Sequence, residues 1–197
     1  TPGLFTADPR LDSEASLIEE IVEIDHEMEG LAGRGGSVRG SGGMASKLAA
    51  AKIASWSGVR TVIADAGRTG VMVDSCNGVA GVGTVVRARE ATLGARRLWI
   101  AFAVGSSGRI TVDAGARRAL EERRVSLLPA GVVAVEGSYE AGSAVEVCDV
   151  EGAVFAKGIV KHDAGLLRAH LGQRSVDLPE GMAHEAVHAD DLVVLPT

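Results

Sequence analysis

A glycine-rich run that leads into a helix-forming stretch carries the clearest chemistry in this sequence. Residues 40–47 read Gly-Ser-Gly-Gly-Met-Ala-Ser-Lys, and the alanine-rich residues 48–54 follow directly. Glycines let the backbone direct its N–H groups at a ligand, and a helix N-terminus adds unpaired N–H donors and partial positive charge. Lys47 would add a full positive charge. The pattern predicts an anion site, most often for phosphate, and a flexible loop with a solvated lysine is the alternative.

Two common phosphate-binding motifs do not fit this run. A Walker A loop needs Gly-Lys-Ser/Thr, whereas the order here is Ala45-Ser46-Lys47. A dinucleotide fingerprint needs a preceding strand and Gly-x-Gly-x-x-Gly spacing, which are also absent. The sequence therefore predicts phosphate binding by some other class of protein.

A second segment narrows that class. Residues 3–10 read Gly-Leu-Phe-Thr-Ala-Asp-Pro-Arg, and together with residues 40–47 they resemble the nucleotide-binding half of the amino-acid kinase family. The similarity is greatest to members that phosphorylate the γ-carboxylate of L-glutamate. Those members usually have tyrosine in place of Phe5 and threonine in place of Ser41 and Ser46. The resemblance extends along essentially the whole chain.

The resemblance implies an ATP-dependent kinase, with Mg²⁺, that makes γ-glutamyl phosphate in the first step of proline biosynthesis. It implies that the glycine-rich loop wraps the ATP phosphates and that Lys47 is catalytic, because it neutralises charge on the phosphoryl group in transfer. The residues implied in nucleotide binding are Ser41, Gly42, Gly43, Met44, Ala45, Ser46, Lys47, Phe5 and Arg10, with Thr6 near them. No metal ligand is assigned.

The resemblance also implies what the sequence lacks. The chain begins with Thr1, and the residues that bind L-glutamate would belong to an N-terminal half that is not present. We therefore expect a C-terminal portion of such a kinase that is inactive by itself. L-Glutamate is the expected partner of the whole enzyme, and we expect a homo-oligomer.

The elements that would position these residues follow from hydrophobic periodicity. The pattern predicts helices over residues 17–29 and 44–57, a loop over residues 30–43, and strands over residues 59–64 and 97–102. Alternation of helix and strand favours a mainly parallel sheet. We expect an α/β fold that forms the C-terminal half of an amino-acid kinase sandwich.

A domain boundary is predicted at the glycine- and serine-rich residues 105–108. Residues 1–107 would be the nucleotide-binding part of the kinase domain. Residues 108–197 combine short valine-rich strands with a helix over residues 113–123, which indicates a small mixed or antiparallel barrel. This part resembles the PUA domain, named from pseudouridine synthases and archaeosine transglycosylases, so a β-barrel-like PUA domain is expected.

RNA binding by this second domain is the alternative function, because PUA domains elsewhere bind RNA. The net charge of the chain is −6, and residues 108–197 hold 14 acidic and 9 basic side chains, a net −5. That balance opposes strong binding to phosphate backbones. The arginines that could form a basic face are Arg117, Arg118, Arg123 and Arg124, although a solvated helix face and a structural or regulatory role are favoured.

The composition also bears on compartment and on metal chemistry. No apolar run is long enough to cross a bilayer, and a cytoplasmic enzyme is expected. Residues 184–188 read His-Glu-Ala-Val-His, which matches a zinc metalloprotease motif. That motif functions only on a helix, and nearby Pro179, Gly181 and a valine-rich strand leave little room for one. A strand-side position for both histidines is therefore predicted.

Overall fold

A computed structural model describes residues 2–33 and 43–195. The chain divides into two compact units, one ending at Leu93 and the other beginning at Gly94. Each unit has its own hydrophobic core.

The first unit is a small mixed α/β arrangement. Its elements are β1 (Glu20–Ile21), α1 (His26–Gly33), α2 (Met44–Trp56), β2 (Thr61–Ala64), α3 (Val71–Cys76) and β3 (Gly83–Val86). The strands form a sheet in the order β1-β3-β2, in which β1 runs parallel to β3 and β2 runs antiparallel to it. The mixed α/β class is confirmed. The sheet is mixed rather than mainly parallel, because the chain returns from β2 to β3 in the opposite direction.

Two sequence-based boundaries in this unit are wrong. The predicted helix over residues 17–29 is replaced at its start by β1, since Glu20 and Ile21 pair with Val85 and Val86. Helix α1 begins only at His26 and extends into the predicted loop as far as Gly33. Pairing with a distant strand has overridden the local helical pattern in residues 17–21. The rest of the predicted loop, residues 34–42, lies outside the described residues.

Helix α2 agrees closely with the sequence-based prediction. It buries Leu48, Ala51, Ser55 and Trp56, which recur at helical spacing and attach one face of the helix to the core. Gly58 follows in the left-handed region at φ +79°, where a side chain would be strained. The buried face attaches α2 to the core, and Gly58 marks where the helix ends.

The second unit begins with two helical segments and continues with a larger sheet. Its elements are α4 (Ala95–Leu98), a π-helical turn (Trp99–Ala103), β4 (Gly108–Val112), α5 (Ala114–Arg123), a 3₁₀ turn (Pro129–Gly131), β5 (Val132–Gly137), β6 (Ala144–Cys148), β7 (Val154–Val160), α6 (Ala164–Ala169), a second 3₁₀ turn (Ser175–Asp177) and β8 (Val187–Val194). The strand order is β5-β4-β6-β7-β8, with β4 and β6 parallel and the other neighbours antiparallel. The predicted mixed sheet with short strands is confirmed.

The predicted strand over residues 97–102 is wrong, because this segment is helical. Arg96 forms an ion pair with Asp191 at 2.7 Å, and Arg97 donates a hydrogen bond to the carbonyl of Ala189 at 3.1 Å. Both partners lie in β8. These contacts hold α4 against the sheet edge. The apolar run alone is compatible with strand or helix, and the tertiary contacts determine that its backbone is helical.

The core of the second unit extends over all five strands. Phe155 in β7, Ile110 in β4 and Val147 in β6 are fully buried, and Leu120 and Leu167 add the apolar faces of α5 and α6. In the part of the chain that the structure describes, no helix has the length and apolar character needed to cross a membrane.

The histidine motif near the C-terminus is not helical. Residues 181–186 are turns and irregular chain, and β8 begins at Val187, so His184 and His188 do not share a helix face. This agrees with the strand-side position predicted from Pro179 and Gly181.

Candidate functional site

A cleft in the first unit lies where its two sequence motifs meet. Its volume is about 340 Å³. The described residues that line it are Pro2, Gly3, Leu4, Phe5, Ala7, Asp8, Pro9, Arg10, Leu31, Ala32, Gly43, Met44 and Lys47. The N-terminal segment and the start of α2 are therefore adjacent in space, although more than thirty residues separate them in sequence.

The start of α2 contributes backbone donors and a cation. Gly43 precedes the helix with extended backbone, and among the described residues no side chain caps the first-turn N–H groups. The hydroxyl of Ser46 instead donates to the carbonyl of Gly43 at 2.9 Å. Lys47 is exposed on the first turn and lines the cleft. An uncapped helix start beside a lysine is suited to bind an anion.

The N-terminal segment is held in place by a second set of contacts. The hydroxyl of Thr84, which is fully buried, accepts a hydrogen bond from the backbone N–H of Leu4 at 2.8 Å. A side chain at Gly3 would lie 2.5 Å from that same hydroxyl oxygen, so glycine is required for the close approach. Phe5 forms a β-bridge with Leu17. These contacts fix residues 3–5 on one wall of the cleft.

The structure brings together only part of the predicted nucleotide-binding set. Phe5, Arg10, Gly43, Met44 and Lys47 line the cleft. Ala45 and Ser46 lie on the first turn of α2 but are not among the lining residues, and Ser41 and Gly42 lie outside the described residues. Thr6, predicted near the nucleotide, instead uses its hydroxyl to accept a hydrogen bond from the N–H of Ser16 at 3.1 Å.

Asp8 is a lining residue that the sequence-based list omitted. Its carboxylate accepts hydrogen bonds from Nε of Arg10 at 3.0 Å and from Nη2 at 2.7 Å. These hydrogen bonds, together with one from the backbone N–H of Arg10, lower the pKa of Asp8 to about 2. The acid–arginine spacing of two residues was visible in the sequence, but only the structure shows that both groups face the cleft.

Comparisons with known proteins identify the class of each part of the chain. Residues 1–65 match the amino acid kinase family, and residues 108–182 match the PUA domain. The residues that match the kinase family therefore include all those that line the cleft. The residues that match the PUA domain include four of the five strands of the second sheet.

Curated relatives give a more specific likeness. The chain is 39% identical to the glutamate 5-kinase of Enterobacter sp. (strain 638) and 42% identical to that of Mycolicibacterium gilvum (strain PYR-GCK), each over 98% of this chain. The alignments cover 53% and 52% of those relatives, so the chain spans about half their length. The chain is thus a homologue of glutamate 5-kinases, which confirms the resemblance seen in its two motifs.

Solved structures include PUA proteins among the similar chains. One is a PUA domain from Aeropyrum pernix K1 in a tartrate complex, with 28% identity and a TM-score of 0.32 over 47% of this chain and 49% of that one. Another is a PUA domain protein from Thermoplasma acidophilum, with 20% identity and a TM-score of 0.31 over 53% of this chain and 58% of that one.

Proposed function

We propose that this chain supplies the ATP-binding side of an enzyme that phosphorylates the γ-carboxylate of L-glutamate to γ-glutamyl phosphate, the first step of proline biosynthesis. One observation carries the proposal most directly. The cleft joins an uncapped helix start and Lys47 to the Phe5–Arg10 segment within the part that matches the amino acid kinase family. The remaining half of the relatives' length would complete the glutamate site.

The start of α2 has the properties that phosphoryl transfer needs. Backbone N–H groups after Gly43 would hold phosphate oxygens, and Lys47 would neutralise the charge that spreads over the moving phosphoryl group. Ser41 and Gly42 would extend this cradle. Phe5 and Arg10 would contact the nucleotide on the opposite wall.

Mg²⁺ would accompany ATP in such a reaction. In the part of the chain that the structure describes, no three histidine, cysteine or acidic side chains come together as a metal site. Asp8 lines the cleft, but Arg10 occupies both of its carboxylate oxygens. The described residues therefore do not fit a dedicated Mg²⁺ site, and we assign the ion no step on this chain.

The proposal is tested by titrating the 197-residue chain with ATP and with GTP by calorimetry. We expect ATP to bind and Lys47→Ala to weaken its binding. Addition of this chain to a protein with the relatives' missing half should restore glutamate-dependent ADP formation. Absence of ATP binding to the folded wild-type chain would overturn the assignment of the cleft.

A second proposal concerns RNA, since residues 108–182 match the PUA domain. Arg118, Arg123 and Arg124 are exposed at α5, which favours a basic contact surface. Arg117 is not available in the same way, because it forms ion pairs with Glu121 and Asp149. A structured RNA titrated at increasing salt would test this, and binding that does not weaken with salt or with charge removal at the three exposed arginines would exclude a phosphate contact surface.

Two further features belong to the proposal for the whole enzyme. A cytoplasmic location would give it access to ATP and glutamate, and a homo-oligomer is expected. Fractionation of cells and light scattering of the full-length protein would test them.

A further inference from the structure

The ion pair between Asp8 and Arg10 is the feature of the cleft that the proposed function leaves unexplained. Both residues line the cleft, and their side chains bond to each other rather than to the sheet. Thr84, Ser16 and Leu17 hold the segment through their contacts with residues 4–6. Any role of this ion pair therefore concerns the cleft itself.

The pair is bidentate, and its two side chains differ in their exposure to water. The two carboxylate oxygens of Asp8 accept from two different nitrogens of the Arg10 guanidinium, and one of them also accepts from the Arg10 backbone N–H at 3.0 Å. The Asp8 side chain is only 14% exposed, whereas that of Arg10 is 63% exposed. Asp8 thus holds the planar guanidinium in one orientation, and Arg10 presents the accessible surface.

The turn around Asp8 is closed by its own backbone. The carbonyl of Asp8 accepts hydrogen bonds from the N–H groups of Leu11 and Asp12, each at 2.9 Å. Asp12 in turn accepts from the N–H of Glu14 at 2.9 Å. The aspartate is therefore fixed from both its main chain and its side chain, which makes it a rigid support for Arg10.

The ion pair between Asp8 and Arg10 also determines the distribution of charge in the cleft. Asp8 and Arg10 cancel each other, so Lys47 supplies the net charge among the described lining side chains. A phosphate placed at Arg10 would meet the carboxylate of Asp8 at close range, and like charges repel. A neutral, planar pair beside Phe5 and Pro9 is better suited to an uncharged ring or sugar.

We propose that Asp8 is a positioning residue that fixes Arg10 as a neutral clamp on the nucleoside end of ATP, while the phosphates lie at the start of α2. This inference rests on the proposed ATP site. Arg10 contributes contact surface and hydrogen bonds to the ligand, and it adds no net charge to the phosphate subsite.

The test compares ATP with inorganic tripolyphosphate, which has the phosphates but no nucleoside. Calorimetric titrations of the folded 197-residue chain would use the wild type, Asp8→Asn, Arg10→Ala and Arg10→Lys. We expect each variant to weaken ATP binding about fivefold to tenfold, the size of one ordinary hydrogen bond. Binding of tripolyphosphate should stay within twofold for Arg10→Lys, which keeps the positive charge beside Asp8, and should stay equal or tighten for Asp8→Asn, because that change exposes the charge of Arg10.

The control variant is Asp12→Asn, which lies in the same turn but does not line the cleft. It should leave both affinities unchanged. Thermal unfolding of every variant would separate loss of the clamp from loss of the fold, since general unfolding weakens both ligands together. Arg10→Lys keeps the charge but cannot form the bidentate pair, so it should behave like Arg10→Ala toward ATP.

Two outcomes would overturn the inference. Equal weakening of ATP and tripolyphosphate in Arg10→Lys would make the Arg10 guanidinium a phosphate ligand. Unchanged ATP affinity in Asp8→Asn would remove the positioning role of Asp8. Failure of the underlying ATP site would show differently, as a wild-type chain that does not bind ATP.

Discussion

The longest helix of each unit begins in a different way. Helix α5 is preceded by Asp113, whose carboxylate accepts a hydrogen bond from the N–H of Ala116 at 2.7 Å. Helix α2 is preceded by Gly43, which has no side chain, and no other side chain in residues 2–33 and 43–195 caps it. The second unit therefore fills its helix start with a carboxylate of its own, whereas in the first unit no described side chain takes that place.

The presence or absence of a capping carboxylate affects whether a helix start can bind an anionic ligand. A capping carboxylate stabilises a helix because it accepts from donors that would otherwise be unpaired, but it also occupies the place of an anionic ligand. The open start of α2 gives up this stabilisation and lies beside Lys47 and the cleft. The aspartate before α5 caps its own helix in the second unit.

The largest effect is expected when the cation at the open helix is removed. In a full-length protein that carries this chain, Lys47→Ala should lower turnover by about 100-fold or more, as for loss of a group that stabilises transition-state charge. The KM for glutamate should change little. Steady-state kinetics would measure both.

The matched control for that change is Lys52→Ala on the same helix. Lys52 forms an ion pair with Glu29 at 2.5 Å and does not line the cleft, so turnover should remain near that of the wild type. Similar turnover for both variants would show that Lys47 is a solvated helix residue, and the contrast between α2 and α5 would lose its functional meaning.

The second prediction concerns the proposed domain boundary at residue 107, because the compact unit begins earlier. Residues 108–197 should fold alone, but a fragment of residues 94–197 should be more stable. The longer fragment keeps the ion pair of Arg96 with Asp191 and the hydrogen bond from Lys157 to the carbonyl of Val104. We expect a difference of about 2–4 kcal/mol for these and neighbouring contacts, measured by urea unfolding.

The pH dependence of that difference sharpens the second prediction. Burial tends to raise the pKa of Asp191, but hydrogen bonds from Arg96 and Lys161 lower it below its ordinary value of 3.8. A lowered folded pKa stabilises the protein above pH 3.8 and loses this contribution as the pH falls. The advantage of the longer fragment should shrink in acid, and equal stability at neutral pH would place α4 outside the folding unit.

A third prediction converts the open helix start into a capped one. Gly43→Asp places a carboxylate where Asp113 stands in α5, and no atom of the described residues beyond its chain neighbours lies within 4 Å of the added Cβ. We expect ATP affinity to fall about tenfold, since the new carboxylate competes with phosphate, while thermal stability rises slightly. Gly43→Ala is the control, and equal loss of ATP binding in both variants would trace the effect to the backbone rather than to the charge.

The smallest effect is expected at the capped helix. Asp113→Ala should destabilise the second unit by about 1 kcal/mol, because the N–H of Ala116 loses its acceptor. ATP affinity should not change. Asp113→Asn can still accept that hydrogen bond and should recover most of the loss in thermal unfolding; a full loss in Asp113→Asn would contradict capping as the cause.

Much of this could be predicted from local sequence. Helices α2 and α5 and the presence of short valine-rich strands in the second unit follow from periodicity and from the glycine and aspartate at the helix ends. Residues 17–21 and 97–102 could not be predicted in this way. Their backbone state depends on partners far along the chain, β3 for the first and β8 for the second.

The sequence by itself determined which chemical groups are available: a glycine-rich approach to a helix, a lysine on its first turn, and an acid and an arginine two residues apart. Only the tertiary structure decided that these groups share one cleft, because their proximity depends on the attachment of residues 3–5 to the sheet through Thr84. The charge of the cleft was decided in the same way. Arg10 counts as a cation in the sequence, and the bidentate contact with Asp8 makes it part of a neutral pair.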